Sequence, residues 1–178
     1  MLSKDYNTFK GLILDIIPEL LTNKIVKSEY YLKCIFLKKK NTEPTPETTM
    51  WDFIYNLDKF ILEGPFFVNY NDIKEDVRSD EDQSTLKRHY KLHIEERDNK
   101  ISNPFPFFNI MIDEENHDPR DINFKTIPPI ILNEDYTIYN GRHRSFLAKL
   151  TKNSIRAYRR INKPNNHTNI LKIKSYLT

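Results

Sequence analysis

Apolar residues recur at helical spacing through residues 4–22, where Tyr6, Phe9, Leu12, Ile13, Ile16, Ile17, Leu20 and Leu21 share one stripe. This predicts a helix with Ser3 as its cap, kinked at Pro18 or ending its first section there. The segment from Ile25 to Leu37 is rich in β-branched and aromatic residues (Ile25, Val26, Tyr30, Tyr31, Ile35, Phe36) and reads as a strand. Lys38-Lys39-Lys40 closes it as a solvated end. Residues 41–49, with Pro44 and Pro46 among Thr and Glu, form a loop. Trp51, Ile54, Tyr55, Leu57, Phe60 and Ile61 then predict a second helix, capped by Thr48 or Thr49 and stopped at Gly64-Pro65. A strand over 66–70 follows, then an acidic loop over 71–82. Residues 83–97 read as a helix with Leu86, Tyr90 and Ile94 inward, and Asn103-Pro104-Phe105-Pro106 is a rigid connector into a strand over 107–112.

The pattern is sharpest after Pro128-Pro129. Ile130-Ile131-Leu132 and Thr137-Ile138-Tyr139 flank Asn133-Glu134-Asp135-Tyr136, the spacing of a short-looped hairpin. A helix entered through Gly141 is expected to bury Phe146, Leu147 and Leu150, to turn Lys149 and Lys152 outward, and to end with Asn153 in a left-handed conformation. Residues 154–161 supply a last strand, Ile155, Ala157 and Ile161 facing the core and Arg156 and Arg160 the other side. These elements predict an α+β fold: a small mixed sheet with packed helices behind an N-terminal helical and strand extension. In a chain of 178 residues this makes a single domain over 1–178, with a helix-rich part over 1–100 and the sheet core over 101–178.

Composition adds three constraints. The only cysteine, Cys34, excludes an intramolecular disulfide framework and any Cys-based zinc cluster, and points to a reducing, cytoplasmic setting. No apolar run approaches membrane-spanning length, so no membrane partner is expected. Net charge is only +3 but lopsided: from Asp121 onward 11 Lys or Arg face 3 Asp or Glu, a net of +8, which leaves −5 for residues 1–120. A basic C-terminal third favours phosphate-bearing partners.

The candidate chemistry concentrates where the hairpin meets the helix. A helix start presents unpaired N–H groups and the positive end of the dipole, a natural anion site. Gly141 lets the backbone approach a ligand closely or adopt positive φ. Arg142 and Arg144 offer planar forks for phosphate, His143 a donor or an acid and base, and Ser145 a hydroxyl and an N–H. The plain alternative is that these cations pair with the acidic first half of the chain. Successive helical positions also point in different directions, so helical geometry alone does not bring all three into one pocket. Elsewhere, Asp113, Glu115 and His117 follow a strand end, as groups that hold Mg²⁺ or act as a base often do, although a polar turn stopped by Pro119 fits the same composition. His89 and His93, four apart with Glu96 nearby, could meet one metal but lack the metalloprotease pattern.

The order strand, Asn140-Gly141-Arg142-His143-Arg144, helix, strand resembles the signature of the ParB/sulfiredoxin superfamily, which includes partition nucleotide switches, sulfiredoxin and free-serine kinases. The resemblance covers residues 127–161. It implies a ParB/sulfiredoxin-like core in which Asn140 to Ser145 cradle nucleotide phosphates. Partition proteins carry Gly-Glu-Arg-Arg, matched here at Gly141 and Arg144 only. Sulfiredoxin carries Gly-Gly-Cys-His-Arg, matched at Gly141, His143 and Arg144, but its reactive cysteine falls on Arg142. Sulfinic-acid reduction is therefore not expected. The serine-kinase form, Asp-Gly-His-His-Arg, matches at the same three positions.

Three functions follow as expectations. The first is binding of a nucleoside triphosphate, with hydrolysis, phosphoryl transfer or switching supported by Mg²⁺ and by Asp113, Glu115, His117 or His143. The second is a nucleic-acid-binding or nuclease-like accessory role on DNA or RNA, using Arg156, Tyr158, Arg159, Arg160 and Lys163, with Lys172, Lys174 and Tyr176 beyond them. The third is a host-directed protein-interaction module, or a homo-oligomer, on the same scaffold.

Overall fold

A computed structural model describes residues 2–18, 28–37, 53–75, 79–99, 120, 122–127 and 129–178. The chain divides into two compact units: residues 1–22, 27–62 and 161–178 form one, and residues 23–26 and 63–160 the other.

The first unit is helical. In α1 (Leu2–Ile16) part of the expected stripe is buried: Tyr6, Phe9 and Ile13 face inward, joined by Ile17 just past the helix end and before Pro18, while Leu12 and Ile16 are half-buried and Leu20 and Leu21 lie outside the described residues. The strand expected over residues 25–37 is instead a helix, α2 (Ser28–Phe36). Its β-branched and aromatic content suggested a strand, but Leu32 and Ile35 stand at i and i+3 and both are fully buried. Phe36 packs edge-on against Tyr6 and tilted against Phe9, with ring centroids 5.6 and 5.4 Å away. Glu29 in the first turn of α2 accepts hydrogen bonds from Tyr6 Oη at 2.7 Å and Lys10 Nζ at 2.8 Å. The C-terminal helix, α5 (Asn169–Leu177), buries Ile170 and Ile173 and lays Tyr176 against Phe9 at 5.7 Å. Lys174 pairs with Asp58, the middle residue of a 3₁₀ turn over Leu57–Lys59.

The second unit is built on a four-stranded sheet of order β1-β4-β2-β3, formed by β1 (Ile61–Val68), β2 (Ile130–Asn133), β3 (Ile138–Asn140) and β4 (Ile155–Ile161), of which residues 61, 62 and 161 belong to the first unit. The α+β class is therefore observed, with a mixed sheet. β2 runs parallel to β4 in the register Ile130↔Ala157 through Asn133↔Arg160, and antiparallel to β3 with an irregularity between Ile131 and Leu132. The expected helix stop at Gly64-Pro65 falls inside β1. Proline is tolerated there because β1 is an edge strand, and Gly64 is at φ +117 with a Cβ position only 2.8 Å from the Ala157 carbonyl.

The hairpin turn closes through Tyr136 N–H to Asn133 O at 3.0 Å and Asn133 N–H to Thr137 O at 2.8 Å, with Tyr136 at positive φ. Helix α4 (Arg142–Thr151) follows β3, and one core joins Ile130, Leu132, Leu147, Ala148, Ile155 and Ala157. Two details of α4 differ from expectation. Leu150 is 47% exposed, Ala148 taking the inward position, and the left-handed residue is Lys152, while Asn153 N–H returns to Ala148 O at 2.9 Å. Helix α3 (Ser79–Asn99) turns Leu86 into this core and sets Tyr90 edge-on to Phe146 at 6.1 Å. The strand expected over residues 107–112 lies outside the described residues. Among the described residues no helix is long and apolar enough to cross a membrane.

Candidate functional site

The site begins where β3 ends. Gly141 is the N-cap of α4 at φ 95° and ψ 34°, a left-handed conformation that an L side chain rarely adopts. A Cβ there would lie 2.5 Å from Ile130 Cγ2 and 3.1 Å from Arg144 Nη2. The glycine thus lets the helix start close down on β2. The first bond of the helical ladder runs from Ser145 N–H to Gly141 O at 2.9 Å, so the N–H groups of residues 142–144 precede it. No acidic residue stands in the first turn.

The six residues expected to cradle phosphate fall into two sets. Arg144 is buried; its Nη1 donates to Pro129 O at 2.9 Å and its Nη2 to Asn140 Oδ1 at 3.4 Å. Burial pulls its pKa down to about 10, which leaves the guanidinium charged at neutral pH. Ser145 is fully buried, and its hydroxyl and N–H both donate to the Gly141 carbonyl. Asn140, Arg144 and Ser145 therefore brace Gly141 from beneath: Arg144 ties the residue before β2 to the last residue of β3. Arg142 is exposed and His143 half-buried, so these two side chains reach the surface.

The basic set on β4 is divided as well. Arg156 Nη2 donates to Ile127 O at 3.1 Å, and Tyr158 is buried rather than available for stacking. Arg159 lies 3.7 Å from Glu63 and 5.8 Å from the Tyr136 ring, whereas Arg160 sits 4.1 Å over the Tyr139 ring. Lys163 is exposed, as is Lys172; Lys174 and Tyr176 are committed to packing α5 within the first unit. Tyr139 and the Pro129 carbonyl were not singled out from the sequence. The alternation of β3 and the proline pair before β2 were the signals that pointed to them.

Neither family models, nor curated proteins, nor solved structures gave a match to this chain. The chemistry of the site rests on its geometry.

Asp113, Glu115 and His117 lie outside the described residues, as do the side chains of His89, His93 and Glu96. Among the described residues no group of three or more His, Cys, Asp or Glu is placed to hold a metal ion. Cys34 is buried in α2.

Proposed function

We propose that the start of α4 binds the phosphate groups of a nucleotide, in a protein of ParB/sulfiredoxin type. The observation that carries this reading is a helix entered through a left-handed glycine, with no acid in its first turn and with Arg142 and His143 at its first two positions on the surface side. The dipole and the leading N–H groups attract an anion, Arg142 adds a charged fork, and His143 adds a donor. Arg144 acts as a positioning residue, holding the hairpin against the helix start so that these groups keep one geometry. The Asn-Gly-Arg-His-Arg order within a strand-helix-strand context supports the same assignment.

Hydrolysis or phosphoryl transfer would call on Asp113, Glu115 and His117 for a base and for Mg²⁺. These lie outside the described residues, and the proposal is one of binding. Calorimetric titration of the full chain with nucleoside mono-, di- and triphosphates, with and without Mg²⁺, is the test. Saturable binding that strengthens with phosphate number and weakens about tenfold in Arg142→Ala is expected. Absence of binding by the unaltered protein across the panel overturns the proposal.

A further inference from the structure

We infer that Asn140 is a site of spontaneous covalent modification, its side-chain amide converting to a carboxylate through attack by the Gly141 backbone nitrogen. Asn140-Gly141 is the only Asn-Gly pair in the chain. The order matters because the attacking nitrogen belongs to the following residue, and a Cβ on that residue hinders ring closure. Glycine removes the obstacle.

The structure adds three features. Arg144 Nη2 donates to Asn140 Oδ1 at 3.4 Å, so a guanidinium faces the oxygen on which negative charge develops when the side-chain carbonyl is attacked. A donor placed there stabilises the tetrahedral intermediate. The positive end of the α4 dipole lies at the same residues and favours the deprotonated amide nitrogen that attacks. Asn140 is half-buried, which leaves water a way in. Asn153 makes the contrast. It is exposed, but Ser154 follows it and brings a Cβ. Its Nδ2 donates to Thr151 O at 3.2 Å and to Thr151 Oγ1 at 2.9 Å, so its amide is held through the nitrogen that must leave.

The conversion balances with water as its only co-reactant. The Gly141 N–H gives its proton to solvent hydroxide, and the nitrogen bonds to Asn140 Cγ. The Cγ–Nδ2 bond then breaks and ammonia leaves, closing a five-membered succinimide. Water opens either C–N bond of the imide, giving aspartate or, with the backbone rerouted through the side chain, isoaspartate. Either product places a negative charge where β3 meets α4. The aspartate keeps Arg144 as a charge-assisted partner. The isoaspartate adds a backbone carbon at an entrance where a Cβ on Gly141 would already lie 2.5 Å from Ile130 Cγ2.

Peptide mapping by mass spectrometry of the full-length protein, aged in mildly alkaline buffer, tests the inference. It reads conversion directly, so it stands or falls independently of nucleotide binding at Arg142. The peptide spanning residues 140 and 141 should gain the mass that exchange of NH₂ for OH brings. It should resolve into two forms that co-elute with synthetic aspartate and isoaspartate standards, and do so before Asn153 is modified. The rate should rise with pH. Asn140→Gln should stay unmodified at that position, because its longer side chain has to close a six-membered ring. Asn140 still intact in the folded chain once the urea-unfolded chain has converted overturns the inference. So does earlier conversion at Asn153.

Discussion

Arg144 donates from Nη1 to the carbonyl oxygen of Pro129 across 2.9 Å, tying the chain just ahead of β2 to the first turn of α4. The cation that a motif reading would send to a phosphate is buried, and its fork holds the Pro129 carbonyl and the Asn140 side chain. Replacing it with Met leaves that buried carbonyl without its charged donor. Arg144→Met is therefore expected to lower unfolding free energy by about 2–4 kcal/mol, measured by urea denaturation. Arg144→Lys should recover only part of this, because an ammonium cannot reproduce the two-pronged contact.

Gly141 faces two separate obstacles to substitution, a φ of +95° and a Cβ position 2.5 Å from Ile130 Cγ2. Either alone disfavours a side chain, and together they demand that β2 and α4 move apart. Gly141→Ala should destabilise by about 1–3 kcal/mol. A melting temperature equal to that of the unaltered protein would show that the helix start tolerates the extra atom.

The segment from Ile130 to Ile161 was legible because each element announces itself locally: alternation on either side of a polar turn, a glycine entrance, then a helical apolar stripe. The inward course of Arg144 also had a sequence signal. It stands three and four residues before Leu147 and Ala148, on their side of the helix, whereas Arg142 lies roughly half a turn away from it. What the sequence hid was context. Residues 28–36 carry β-favouring side chains, yet their Leu32/Ile35 spacing matches a helical partner, α1, that only the tertiary structure supplies. Gly64-Pro65 looks like a helix stop because nothing local says that the strand is at a sheet edge.

Two carboxylates make the helical unit sensitive to acid. Burial pushes the Glu29 carboxyl up, but hydrogen bonds from Lys10 and Tyr6 outweigh it and hold the pKa below the ordinary value. The hydrogen bond from Lys174 does the same for Asp58 against a smaller effect of burial. A carboxylate with a lowered folded-state pKa contributes stability that is fully present above its ordinary pKa and is lost as pH falls through the folded value. Both sites are partly exposed, so each contribution should stay below about 1 kcal/mol. Urea midpoints should fall between pH 6 and pH 3, and Glu29→Gln should reduce that fall; an unchanged pH slope would remove Glu29 from the account.

Ligand binding at α4 should separate the surface residues from the bracing ones. A nucleotide that binds only the folded protein, present at a hundredfold excess over its dissociation constant, adds about 2.7 kcal/mol of stability. For a chain of this size that corresponds to a rise in melting temperature of roughly 5–10 °C. Arg142→Ala removes an exposed side chain, so its melting temperature without ligand should match that of the unaltered protein, while the ligand-induced rise should shrink by about half at the same nucleotide concentration. Arg144→Met should do the reverse at the outset, melting earlier without ligand because the brace is gone. If Arg142→Ala retained the full rise, the phosphate would not lie at the first turn of α4, whatever its affinity for the chain.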